Sequence, residues 1–410
     1  MSNHPSAAKH YAYYPDDAVA APWMAYGFRP FFLILPWYVA VMMLFWGGVF
    51  SGVVPWVFSG NFVAWHGYEL LYGIGMAGIA AFVLTGVPEL FPGVVPVVGR
   101  KLMIWVGLWL AGRVSLLFAF GAGVWLVGII NLAFSVLVLG WAFKPVVLDP
   151  LQRHASIAYT IVALSALQAW FFVAMAGVGS VAPLSILKLS LGGFMVLIVL
   201  ALRRINMEAI NETLSHEKSD DVFVAKSYRY NLAVFCITLF TVVEFFMPTH
   251  TVLGWLGLGA GAALLGIIND FRLEYTRIIF KPIPFYLALT CAVTALGYGA
   301  LGADVMWGLG MASSLRHVLT TGAFGLAFIV ALIVITTIHT GRALVPKAWM
   351  RGCMGLVVVS TLARTAIAVY PHYFNTLNTL AVLAWVGAFL LYFANTHRML
   401  KSPRADGILG

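Results

Sequence analysis

Long apolar segments separated by short polar stretches make up most of the chain. Twelve apolar runs can be marked, and each is close to the ~20 residues that a helix needs to cross a bilayer. The runs cover residues 31–54, 63–87, 102–120, 122–143, 156–178, 183–202, 231–248, 252–270, 283–302, 314–338, 351–369 and 377–395. This pattern predicts an all-α integral membrane protein with about 12 transmembrane helices, surrounded by lipid bilayer.

Basic residues indicate the orientation of these helices. If the N-terminus lies inside the cell, 20 of the 24 lysines and arginines fall in the tails and inner loops, and none falls in an outer loop. Because cytoplasmic loops of membrane proteins are enriched in Lys and Arg, both termini are predicted to be cytoplasmic. The four remaining basic residues lie within predicted spans: Arg113, Lys188, Arg316 and Arg364.

The longest polar segment lies at the midpoint of the chain and suggests two halves of six helices, a layout that many transporters share. The N-terminal segment lacks the apolar core and cleavage site of a signal peptide. The predicted organisation is a cytoplasmic tail over 1–27, helices 1–6 over 28–202, a cytoplasmic polar loop over 203–230, helices 7–12 over 231–396 and a cytoplasmic tail over 397–410.

Composition excludes several classes of protein. Only 10% of the residues are charged, whereas about a quarter are charged in soluble domains. The net charge of +9 comes from basic residues scattered singly between apolar runs, so it reflects membrane topology, and no nucleic-acid partner is expected. The three cysteines have spacings that suit neither a disulfide framework nor a zinc site. No nucleotide-binding glycine motif or nucleophile elbow occurs in a suitable context.

The tenth run carries a histidine near each end, His317 and His339. At 1.5 Å per residue these rings would lie roughly 33 Å apart along the helix, about the thickness of the hydrocarbon core. The two histidines are 22 residues apart. At about 100° per residue, their side chains would point in directions that differ by only roughly 40°, so one helix face would present both rings. We expect this face to be a functional axis.

Ionisable residues gather in the outer halves of the predicted helices. Such groups are rare at membrane depth and usually face a bundle interior, where they pair, bind a cofactor's carboxylates or line a proton path. For Arg113, Arg364 and Glu244 a purely structural ion pair is the alternative, and Lys188 is open to snorkelling towards headgroups. The candidate catalytic residues are Glu69, Arg113, Glu244, Arg316 and Arg364.

Imidazole is a frequent ligand of haem iron and of copper, so histidines at membrane depth are candidate ligands. His66 opens the second helix three residues before Glu69, on the same helical face, where the acid would fix the tautomer of the ring. The candidate cofactor and metal ligands are His66, His317 and His339. For His339 an interfacial helix end is an equal alternative.

Several blocks of the sequence resemble those of the NnrS family. They are FRPFF, WHGYELLYGIGMAGIAAFVLTGVPE, WLAGR, RHVLTTGAFG with IHTGR, and the final SPRADG, in the expected order across nearly the whole chain. The resemblance implies a bacterial inner-membrane protein of twelve helices that contains haem and copper and is linked to nitric oxide metabolism and resistance. The matched motif positions are His66, His317, His339, Glu69, Arg113 and Arg342.

The chain departs from the family pattern at three places. Tyr68 stands where the family's HxHE motif has a second histidine, which puts the copper or a second haem ligand in doubt. Glu89 and Leu90 stand where asparagine and tryptophan are usual. The family's Arg-Ile-Pro block appears without its proline in the segment 203–206.

The leading hypothesis is a protein with a b-type haem, or haem and copper, that acts on nitric oxide or another small diatomic ligand at an outer-half metal site. As an oxidoreductase it would reduce nitric oxide to nitrous oxide, with electrons from quinol or from a second haem near His339. Two alternatives stay open: a secondary transporter of a small anion or metal, and a haem or copper delivery protein. A transporter has no evident need for a ligand at each end of one helix.

Overall fold

The structure is a computed structural model, and it describes residues 21–56, 61–91, 93–119, 123–152, 154–408 and 410. These residues form helices joined by turns, and none of them lies in a strand. The main helices are α1 (Phe28–Phe50), α2 (Phe62–Leu90), α3 (Gly99–Val114), α4 (Gly123–Val147), α5 (Ala155–Met175), α6 (Pro183–His216), α7 (Ser227–Phe246), α8 (Val252–Ile268), α9 (Pro282–Trp307), α10 (Ala312–His339), α11 (Ala348–Ala366) and α12 (Phe374–Lys401).

These helices follow the predicted apolar runs in order, which confirms an all-α membrane protein. Within the described residues, ten helices are long and apolar enough to cross a membrane. The other two are α3, which has 16 residues, and α11, whose 19 residues include two arginines. The number of spans and the side on which the termini lie therefore stay predictions. Most of the predicted tail over 1–27 lies outside the described residues.

The predicted polar loop over 203–230 is partly helical. Helix α6 continues to His216, about four turns past the end of its apolar run, and α7 begins at Ser227. The short segment between them is fastened to α6 by the Asn211 side chain. Its amide accepts a hydrogen bond from the Phe223 N–H (2.8 Å) and donates one to the Phe223 carbonyl (3.0 Å).

Helices α8 and α9 approach each other at backbone distance. A Cβ on Gly257 would lie 2.7 Å from the carbonyl oxygen of Tyr298 and 2.8 Å from the Cα of Gly302. Small residues allow this close packing in membranes, as the glycine-rich sequence of the eighth run indicates. Gly259 on the same helix has nothing within 4 Å of such a Cβ.

Two helices contain a wide, π-helical turn. In α2 it covers Glu69–Gly73, and in α10 it covers Val318–Ala323. The first begins three residues after His66, and the second begins directly after His317. π turns interrupt regular α-helical geometry and occur often at functional sites. Their position beside His66 and His317 therefore supports both histidines as candidate functional residues.

Candidate functional site

A cavity of about 490 Å³ lies between α1, α2, α6, α10, α11 and α12. His66 of α2 and His317 of α10 both line it, so the structure brings together two of the three predicted ligands. We call this space the histidine cavity. Its volume is in the range that holds drug-sized ligands. Its aromatic walls include Trp46, Phe50, Phe324 and Trp385.

The two rings of the histidine cavity are held differently. Nδ1 of His317 lies 2.8 Å from the carbonyl oxygen of Ser313, one turn earlier in α10. A carbonyl only accepts, so Nδ1 carries the proton and Nε2 keeps its lone pair for a ligand. His66 packs edge-on against Trp46 and Phe50, with ring centroids 5.4 and 5.0 Å away. Among the described residues its buried Nδ1 finds no hydrogen-bond partner.

Three cationic side chains also line the histidine cavity: Lys188, Arg316 and Arg364. Arg316 is neutralised by Glu244 through two contacts, at 2.5 and 3.2 Å. In the part of the chain that the structure describes, no hydrogen bond or ion pair is seen for Lys188 or Arg364. The cavity therefore combines a largely apolar wall with two cations that have no carboxylate within hydrogen-bonding distance among the described residues.

Glu69 and Arg113 do not line the histidine cavity. They form a buried ion pair with each other, with Arg113 Nη1 2.7 Å from Glu69 Oε2. The Tyr38 hydroxyl donates to the same carboxylate oxygen at 2.6 Å, and Asn131 accepts from the other end of the guanidinium. Glu69 therefore faces Arg113 rather than His66. The prediction that the acid orients this histidine has no support in the contacts.

Tyr68, at the position of the family's second motif histidine, also lies away from the histidine cavity. Its hydroxyl accepts a hydrogen bond from Gln168 Nε2 at 2.8 Å, and Gln168 in turn accepts from the Ser135 hydroxyl. Its ring stacks on Phe171 with centroids 4.8 Å apart. The tyrosine is thus a packed member of a buried polar network.

His339 lies at the other end of α10, within a charged cluster. Its Nδ1 is 3.0 Å from Glu89 Oε1, and its Nε2 is 3.9 Å from Glu208. The Tyr26 hydroxyl donates to the same Glu89 oxygen, and Arg204 lies 3.8 Å from the other oxygen. Both ring nitrogens therefore face carboxylates. This arrangement suits an ion-paired helix end better than a haem ligand.

The C-terminal segment folds over this end of α10. Arg404 donates to the carbonyl oxygen of His339 at 3.1 Å and pairs with Asp406 at 2.6 Å. Hydrogen bonds from Arg404 lower the pKa of the Asp406 carboxyl below its usual range. Arg342, the last motif arginine, donates to the Thr340 carbonyl at 3.0 Å. The SPRADG block and the IHTGR block thus form one structural unit.

The histidine cavity fits a haem. The free Nε2 of His317 and the unpartnered Nδ1 of His66 provide ring nitrogens without protein partners, and Lys188 and Arg364 provide charge for two carboxylates. Copper fits less well, because Tyr68 is engaged elsewhere. No group of three or more His, Cys, Asp or Glu that could hold a metal ion is found among the described residues.

Some residues of these sites were not singled out by the sequence. Glu89 was noted only as a departure from the family pattern, yet it binds both His339 and Tyr26. A carboxylate near the end of an apolar run was the available signal, because such a group needs a partner. Nothing in the sequence indicated the bond from His317 to the Ser313 carbonyl.

The fold and the cavity define a class: a multi-pass, all-α membrane protein with two histidines and unpaired cations around one cavity. The model of the NnrS protein family matches residues 22–404. The chain therefore belongs to the NnrS family, a bacterial family, as the sequence blocks predicted. No curated protein and no solved structure matched the chain.

Proposed function

We propose that this protein binds haem in the histidine cavity and acts on nitric oxide there. The observation that carries the proposal is that His66 and His317, on different helices, line one cavity with Lys188 and Arg364. Membership of a family linked to haem, copper and nitric oxide supports the same conclusion. Nitric oxide is small and apolar, so a cavity among membrane helices meets it directly.

Each part of the histidine cavity has a role in this proposal. A bound haem would supply an iron to which nitric oxide could bind. Nε2 of His317 would hold the iron, and the bond from Nδ1 to Ser313 fixes the tautomer and the ring plane. Lys188 and Arg364 would hold the carboxylates of the haem. Glu244 fixes Arg316 at the cavity wall.

Trp46, Phe324 and Trp385 in the wall of the histidine cavity are buried, so this part of the cavity is shielded from bulk water. A dry surrounding strengthens the electrostatic contacts of the cationic side chains and protects a bound radical gas from side reactions. If nitric oxide is turned over to nitrous oxide, two molecules consume two electrons and two protons and release one water. A membrane quinol is the donor that we would test first.

The test is a His317→Ala variant purified from cells supplied with haem. His397→Ala is a matched control, because its Nδ1 makes the same bond to a carbonyl four residues earlier (3.0 Å, to Phe393) but its ring does not line the histidine cavity. We expect His317→Ala to lose haem and His397→Ala to keep it. Equal haem content in both variants would remove His317 as a ligand.

The cations of the histidine cavity are tested separately. Arg364→Gln should weaken haem retention, whereas Arg351→Gln, on the exposed side of the same helix, should not. Nitrous oxide production with a quinol analogue then separates turnover from binding alone.

A secondary transporter of a small anion is the second candidate. It is favoured by Lys188 and Arg364, two cations in a cavity between helices that have no carboxylate within hydrogen-bonding distance among the described residues. A purified protein without haem that binds a small inorganic anion, and loses it in Arg364→Gln, would support this candidate over the first.

A further inference from the structure

A second, smaller cavity lies mainly between α2, α6 and α10, and several of its lining residues, such as Phe82, Leu197 and Ile335, are only partly buried. Its volume is about 100 Å³, and every residue that lines it is apolar or glycine. The lining includes Gly75, Gly78, Phe194, Ile198, Ala327 and Phe328. We call it the apolar cavity.

Three phenylalanine rings separate the apolar cavity from the histidine cavity. Phe324 lines the histidine cavity, whereas Phe194 and Phe328 line the apolar cavity. The ring of Phe324 stacks on Phe328 with centroids 4.4 Å apart and meets the edge of Phe194 at 6.1 Å. The stacked rings of Phe324 and Phe328, together with the ring of Phe194, therefore lie between the two cavities.

Two glycines of α2 make room for these rings. A Cβ on Gly75 would lie 2.3 Å from the Phe194 ring, and one on Gly78 would lie 2.5 Å from the Phe328 ring. The rings therefore rest directly on the α2 backbone. A methyl group at either position has to push the ring aside.

Size and polarity limit what the apolar cavity can hold. Water needs two to four polar partners, and this lining offers no polar side chain. An apolar cavity of about 150 Å³ in another protein stays dry and binds benzene or xenon, whereas drug-sized ligands need about 300 Å³ or more. A diatomic gas or a xenon atom fits. A haem does not, and neither does a quinone with its tail.

We propose that the apolar cavity is a holding site for a small uncharged gas that passes to the histidine cavity when the Phe324 or Phe328 ring turns. No bond is formed or broken in this step. The identity of the gas as nitric oxide rests on the proposed function, but the site itself does not. An acyl chain of a bilayer lipid is the competing occupant.

Xenon is the probe for the site. We expect one xenon atom behind the Phe328 ring in a structure of the full chain under xenon pressure. The atom should be lost in Ala327→Leu, which fills the cavity, and in Gly78→Ala, which displaces the ring. Gly86→Ala, also on α2 but with nothing within 4 Å, should keep it. An empty cavity under xenon, or a lipid chain seated in it, would overturn the proposal.

Passage between the cavities is tested by flash photolysis of carbon monoxide from the haem-loaded protein. We expect Ala327→Leu to lose the slow phase of internal rebinding that the Gly86→Ala protein retains. Identical rebinding in both proteins would overturn the passage. If the purified protein binds no haem, the proposed function fails, while the xenon experiment still decides whether the site exists.

Discussion

Replacing the buried carboxylate of Glu69 by its amide should destabilise the protein strongly. The Glu69 side chain is 0% exposed and that of Arg113 is 8% exposed, so Glu69→Gln leaves a cation buried without its counter-charge. Breaking a buried pair from one side costs about 3–5 kcal/mol. This is roughly two to four powers of ten in the unfolding equilibrium. The amide oxygen still accepts from Tyr38, so the change isolates the charge.

The assay is SDS-induced unfolding in mixed micelles, followed by circular dichroism. Glu217→Gln is the control, because its pair with Lys281 is 32% and 40% exposed and should contribute at most about 1 kcal/mol. A double variant, Glu69→Gln with Arg113→Gln, should recover much of the loss because no charge stays unpaired. If Glu69→Gln cost no more than Glu217→Gln, the pair would not be buried and desolvated as argued.

Three further predictions concern packing and the far end of α10. Gly257→Ala should cost about 1–3 kcal/mol because its methyl group meets the backbone of α9, and Gly259→Ala, with open space, should be close to neutral in the same unfolding assay. The pKa of Asp406 is lowered in the folded protein, so its bond to Arg404 stabilises the docked tail at every pH above the carboxyl's ordinary pKa of 3.8. This stabilisation is lost as the pH falls through the lower pKa of the folded state. The hydrogen-exchange protection factors of the tail, which correct for the intrinsic effect of pH on exchange, should therefore be unchanged from pH 8 to 5 and fall only in stronger acid; a fall near neutrality would contradict this. Glu89→Gln removes the charge beside the terminal histidine of α10 and should lower the melting temperature, and an unchanged value would show that the cluster adds no stability.

The apolar runs were sufficient to predict the helices, because hydrophobic length is what a bilayer selects. The end of α6 was not predicted, since Ile205, Ile210 and Leu214 are buried at helical spacing but are too sparse to form a continuous apolar run. The wide turns after His66 and His317 were also invisible, because they depend on packing between helices and not on local pattern.

For the candidate site, the sequence predicted which residue types are present and their depth in the membrane, but it did not predict which side chains pair with each other. The sequence predicted a similar membrane depth for four charged residues, Glu69, Arg113, Arg316 and Arg364. Of these, Arg316 and Arg364 line the histidine cavity in the structure, whereas Glu69 and Arg113 do not. Glu69 and Arg113 satisfy each other instead, the structural alternative for an intramembrane charge. Which groups pair is decided by helix rotation and neighbours, and a single sequence does not encode these in a readable form.

The central claim is that the histidine cavity holds a haem that nitric oxide can reach. The most direct measurement is the ultraviolet–visible spectrum of the purified full-length protein, oxidised and dithionite-reduced, before and after addition of nitric oxide. We expect a Soret band that shifts on reduction, shifts again with nitric oxide and disappears in His317→Ala. A protein made with ample haem that shows no Soret band would contradict the proposed haem site.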